Sequence, residues 1–149
     1  MSCVMANEKL KSAKFRFVGS AINQFAVFEE NYKDNCEINV KSQVKFEYLA
    51  ADHVVCCEST ATGVVEDRPI VRASMSFKFE LSDATVNDLT NADEGTVVIP
   101  RELLSYFGNT TYGALRGAVI AKLEPTRVRL LLPMIDLSRM IEKSMVVNI

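Results

Sequence analysis

The residues best equipped for chemistry are few, and their spacing works against them. His53 is the only histidine of the chain, and Cys56 follows it by three positions. A nucleophile and its base must lie within hydrogen-bond reach of each other. In a strand, residues three apart project from opposite faces, so this pair needs cross-strand partners before it can act. Beside a turn, His53 reads as a surface or loop residue. The cysteines are Cys3, Cys36, Cys56 and Cys57, with no Cys-x-x-Cys spacing among them. They read as free thiols of a reducing compartment. One histidine without a paired-cysteine motif gives no metal site. Gly113-x-x-x-Gly117 is not followed by Gly-Lys-Ser/Thr, so it reads as helix packing and not as a phosphate loop. The carboxylates are scattered over turns. These residues specify no catalysis, no metal and no cofactor.

The elements that would position any site are easier to read. The chain has 149 residues, 48% of them hydrophobic, and a formal net charge of −2. That predicts one globular domain over residues 1–149, with 1–12 as a loose arm. The charge gives no electrostatic grip on nucleic acid or an anionic membrane. No apolar run reaches the roughly 18 residues of a membrane span. The mixed start Met1 to Lys11 is no secretory signal. The expected location is cytoplasmic.

Phe15 to Phe28 reads as a strand with a bulge or bend around Val18–Ala21. Ile38 to Tyr48 alternates cleanly, with Val40, Val44 and Phe46 on one face and Lys41, Gln43 and Lys45 on the other. His53 to Val65 is a third strand, Glu66 to Pro69 a turn, and Ile70 to Leu81 a fourth strand. Short connections favour a meander. Ser82 to Thr96 reads as a loop with a helical turn near Val86. Pro100 opens a short helix that Gly108-Asn109 should stop. A second helix then runs from Thr110 to Pro125. Arg127 to Leu132 is extended, and Asp136 should cap a last amphipathic helix with Leu137, Met140, Ile141 and Met145 inward. Strands followed by helices predict an α+β fold.

The helix from Thr110 has almost no polar face. Tyr112, Leu115, Val119, Ile120 and Leu123 form an apolar arc in which Arg116 is the only charge, and Gly113, Gly117, Ala114, Ala118 and Ala121 form a small-residue arc opposite. Such a helix is buried nearly all round. One sheet covers one arc, and the economical cover for the other is a second subunit of a symmetric homo-oligomer. Tyr112, Gly113, Gly117 and Ala121 are the expected interface. The other solution is the C-terminal helix folding back over them.

The order of elements together with certain words resembles the SecB family of protein-export chaperones. Those words are Leu131-Leu132-Pro133-Met134-Ile135-Asp136-Leu137 with Met140-Ile141, Tyr112-Gly113-Ala114-Leu115-Arg116-Gly117, and Phe25-Ala26-Val27-Phe28-Glu29-Glu30-Asn31. The resemblance covers about residues 13 to 145. It departs from the family in lacking a proline in the first-strand motif, any Trp and an acidic C-terminal tail, and Phe25 stands where an acidic residue is usual. The resemblance implies a four-stranded antiparallel sheet with C-terminal helices packed on one face. It also implies a tetramer built of dimers, and grooves that hold unfolded polypeptides without ATP. On this chain those grooves would use Phe25, Phe28, Tyr32, Met134, Leu137, Met140 and Met145. Methionine-rich apolar surfaces accept many sequences.

The resemblance further implies docking of the SecA motor on an acidic sheet face. Glu29 and Glu30 would serve here. The outward row of the fourth strand, Arg72, Ser74, Ser76 and Lys78, offers cations and hydroxyls until Glu80, so SecA binding is expected to be weak. Two functions fit: an ATP-independent chaperone of unfolded polypeptides, with a role in export, or a dedicated adaptor of one partner such as an antitoxin.

Overall fold

A computed structural model describes residues 13–149; the expected arm over 1–12 lies outside the described residues. Four strands, β1 (Phe15–Val27), β2 (Asn39–Leu49), β3 (Val54–Val65) and β4 (Arg68–Leu81), form one antiparallel sheet in the order β1-β4-β3-β2. β2 to β4 are the expected meander. β1 departs from it, because the chain turns through a 3-10 turn at Glu29–Asn31 and crosses over before β2. β1 therefore pairs with β4 and leaves both β1 and β2 as edges. Its register slips between Phe17 and Gly19 and again between Ile22 and Gln24, so the expected bend is two irregularities.

The β3–β4 hairpin closes on Glu66 and Asp67, with φ of 50° and 64°. Two consecutive left-handed residues make a type I′ turn, whose twist matches the flanking strands. Glu66 suits that region poorly, and Asp67 tolerates it less well than glycine would. Asp67→Gly should therefore raise the unfolding free energy by about 1 kcal/mol, read as a shift of the urea midpoint at constant slope.

The segment after β4 is more ordered than its turn-like composition predicts. Ser82 accepts a bond from the Thr85 amide and caps α1 (Asp83–Leu89). β5 (Thr90–Asn91), β6 (Thr96–Ile99) and β7 (Met145–Asn148) then build a small second sheet in the order β5-β6-β7. The single helix α2 (Arg101–Leu123) replaces the expected pair. Gly108 does not stop it. A Cβ there would meet Leu137 Cδ1 at 2.8 Å, so this glycine admits the returning chain and its conformational freedom is not used. The expected last helix is absent too: Asp136 caps only the 3-10 turn Leu137–Arg139, and Met145 lies in β7.

α2 lies across one face of the main sheet over β3 and β4. Leu115, Val119 and Leu123 pack with Ala61, Ile70 and Val71 in one core cluster. Leu103, Leu104 and Phe107 pack with Val55, Phe79 and the α1–β6 region in a second. The apolar arc is real, with one correction: Ile120 is half exposed, at 50%. The small-residue side is open, since Gly113, Gly117 and Ala121 face outward within the protomer and a Cβ on either glycine would meet nothing within 4 Å.

Candidate functional site

Between α2 and β7 the chain runs from Glu124 to Asp136 without helix or strand. Its sequence is apolar and its burial alternates: Val128 and Leu132 are buried, Leu130 and Ile135 half-buried, and Leu131 and Met134 lie 65% and 86% exposed. An extended segment that joins no sheet must satisfy its backbone otherwise. Here arginines and three polar side chains of α2 supply the partners. The Arg116 Nε–H donates to the Leu132 carbonyl at 2.9 Å, the Tyr112 hydroxyl donates to the Pro133 carbonyl at 2.6 Å, and the Leu137 amide donates to Asn109 Oδ1 at 3.0 Å. Asn109, Tyr112 and Arg116 are spaced i, i+3, i+7, which puts them on one face of the helix.

Each end of the segment is pinned. Arg129 donates to the helix-end carbonyls of Leu123 and Thr126 at 3.1 and 2.8 Å. Arg127 reaches the carbonyls of Glu29 and Tyr32, and its amide donates to Glu29 Oε1 at 2.8 Å. Beyond the segment, the Arg101 side chain donates to the carbonyls of Ser138 and Ile141, and its amide donates to Ser144 Oγ. Shallow hollows flank the segment. One of about 490 Å³ lies against Ile38, Val40 and Pro133, one of about 370 Å³ against Ile120, Leu123 and Leu131, and one of about 290 Å³ against Tyr112, Gly113 and Met134.

The residues expected to form a groove divide among different environments. Met134 and Met140 are exposed. Phe25 and Tyr32 are half-buried against the first core cluster, with the Lys122 ammonium 5.5 Å from the Phe25 ring and the Arg127 guanidinium 5.9 Å from the Tyr32 ring. Phe28 is half-buried where the chain leaves β1. Met145 packs against the second cluster from β7. Leu137, at 3% exposed, fills the space over Gly108 and is core in the protomer. Tyr112, expected at a subunit interface, is also 3% exposed within the protomer and bound to Pro133. The Glu29 carboxylate is already engaged by the Arg127 amide, while Glu30 is exposed.

Sequence reasoning passed over Asn109, Arg127 and Leu131. One signal was present: Arg116 as the lone charge in an apolar arc marks a side chain that needs a buried acceptor, and Leu132 supplies it.

The thiols and the histidine stay apart. His53 sits in the turn before β3 with a left-handed backbone, its Nδ1 3.2 Å from Asp83 Oδ1. Cys56 lies on the outer sheet face opposite Glu47 and Lys78; burial, helped by Glu47 and Glu58 and countered by Lys78, pushes its thiol up. Burial pushes Cys57 up to about 11. Thiols raised in this way are poor nucleophiles at neutral pH.

No protein-family model matches the sequence, and the search of curated proteins gives no match. Among solved structures, the chain shares its fold with the SecB-like chaperone Rv1957 of Mycobacterium tuberculosis, solved in complex with a ChAD peptide from the Rv1956 HigA1 antitoxin. The TM-score is 0.57 at 8% identity, over 90% of this chain and 96% of that one. A Streptococcus agalactiae protein of unknown function aligns at a TM-score of 0.36 and 14% identity, over 82% of this chain and 98% of that one.

Proposed function

We propose that the protein is a SecB-like chaperone that holds unfolded polypeptides without ATP, as a homo-oligomer in the cytoplasm. The observation that carries this reading is the apolar surface kept open along residues 120–140, where Ile120, Leu131, Met134 and Met140 are exposed on a SecB-like fold. Isolated exposed apolar residues are ordinary, but here Ile120 and Leu131 line one hollow and Met134 another, and exposed apolar residues beside such hollows mark an interaction site. Phe28 and Tyr32, half-buried after β1, would extend it.

Two features support an oligomer, with a tetramer of paired dimers as the expected form. One is the open small-residue side of α2. The other is the β1 edge, which carries no charge from Phe17 to Phe28 and exposes Phe17, Val18 and Ile22. Edges left to solvent are usually defended by charge, as β2 is by Lys41, Lys45 and Glu47.

A dedicated role is the second reading. The fold neighbour was solved with a peptide from an antitoxin, and the same surface here would suit one partner of that kind. An export role through SecA is weaker support for the surface seen. The outward β4 row is mixed in charge, and Glu29 is engaged within the protomer, which leaves Glu30 as the free carboxylate of the pair.

The test is suppression of aggregation of several unrelated, chemically unfolded proteins in the absence of nucleotide. Suppression across the panel is expected. Leu131→Ser with Met134→Ser should weaken client binding about thirtyfold, since each of the two lost apolar contacts is worth roughly 1 kcal/mol. Binding to a single partner alone selects the adaptor reading, and no binding to any client removes the holdase.

A further inference from the structure

The backbone-directed grip on residues 131–137 has a consequence for how clients bind. Asn109, Tyr112 and Arg116 hold that segment through its main-chain amide and carbonyls. Its only fully buried side chains are Leu132 and Leu137, while Leu131 and Met134 face solvent. A site that bonds main-chain groups and sockets two leucines reads almost no sequence beyond "extended and apolar". That is the chemistry an unfolded client presents. The hydrogen bonds come from a helix face that is rigidly placed by the adjoining, core-facing side, with Tyr112 shared between the two, whereas residues 131–136 belong to no helix or strand.

We propose that the α2 face formed by Asn109, Tyr112 and Arg116 is a polypeptide-binding site for an extended apolar segment, filled by the protein's own residues 131–137 until a client displaces them. The proposal rests on the polypeptide-binding reading above and deepens it. The tether makes the internal segment a strong competitor, because a short linker holds a ligand at millimolar effective concentration. A single weak client segment loses to it. A client that also touches the flanking hollows gains enough from the second contact to win. The anchors at Arg129 and Arg101 lie outside residues 131–137, so that stretch lifts while the helix end and the chain from Ser138 to Ser144 keep their clamps.

Hydrogen exchange on the intact protein tests this, with a permanently unfolded polypeptide as the probe and its binding followed separately by fluorescence anisotropy. Exchange at the Leu137 amide, the amide of this stretch that donates to Asn109, should quicken when the probe saturates the protein. Bound probe with unchanged or stronger protection there overturns the inference and leaves the holdase reading standing. No bound probe at all removes both. Two variants cross-check the result. Leu132→Ala loosens the segment and leaves the helix face intact, so probe affinity should rise about tenfold. Arg116→Gln with Tyr112→Phe blunts the helix face, so affinity should fall. Affinity moving in the same direction in both variants counts against the site. The exchange arm needs no variant, so it stands if Leu132→Ala fails to fold.

Discussion

Phe107→Ala should lower the unfolding free energy by about 3–5 kcal/mol, the range for truncating a fully buried aromatic residue. Phe107 is entirely buried on α2. Its ring stacks on Phe79 at 4.1 Å between centroids with an interplanar angle of 11°, and meets Phe15 edge-on at 4.9 Å. Aromatic pairs in these geometries add to the burial itself. The residue thus ties β1, β4 and α2 together in the cluster that also holds α1 and β6. Urea unfolding at fixed protein concentration measures the loss. A change below about 1 kcal/mol, with an unchanged slope, would mean that the cluster relaxes around the cavity and is not the rigid seat of α2.

The residues next to Phe107 show why α2 runs on through a stretch whose pattern predicts two helices. Gly108-Asn109 is a common way to end a helix, and a chain read residue by residue offers no reason to continue through it. The reason is tertiary. Leu137 returns from 29 positions away, sits on Gly108, and has its amide taken by Asn109. Both supposed stop residues are contact residues for a distant segment. The same blindness affected the C-terminus. Asp136, Leu137, Met140 and Ile141 have the spacing of a capped amphipathic helix, but Arg101 takes the carbonyls of Ser138 and Ile141, and β7 draws Met145 onward into a second sheet that no periodicity announced.

What could be read was the period-two patterning. The inward row of β2 follows the alternation, with exposed and half-buried positions succeeding each other from Asn39 to Tyr48; β4 follows it less well, since Ser74 of its expected outward row is buried. The order of strands required the crossover after β1, which local pattern did not show. The resemblance to SecB proved sound for the fold at 8% identity. Its strongest word, Leu131 to Leu137, does not open a final helix here. It is the extended segment on α2, so the words that suggested the fold were informative about order and silent about conformation.

Gly117→Leu should break the assembly while leaving the protomer folded. Within one chain the substitution meets open space, and replacing a mid-helix glycine by a good helix former stabilises by roughly 0.5–1 kcal/mol. A protomer on its own therefore becomes slightly more stable. If α2 of a second copy packs against this side, the same leucine enters a close contact, and overpacking costs about 1–3 kcal/mol at each occurrence. Two-fold symmetry places the residue on both sides of the interface, so the cost doubles to about 2–6 kcal/mol. That weakens association by about thirtyfold or more. Light scattering coupled to size exclusion should show the mass fall, while circular dichroism keeps its shape and Tm holds or rises at low protein concentration. An unchanged oligomer with a raised Tm would place this side of α2 in solvent and leave the uncharged β1 edge as the surface that pairs. A wild-type protein that is monomeric at micromolar concentration would remove the oligomer altogether.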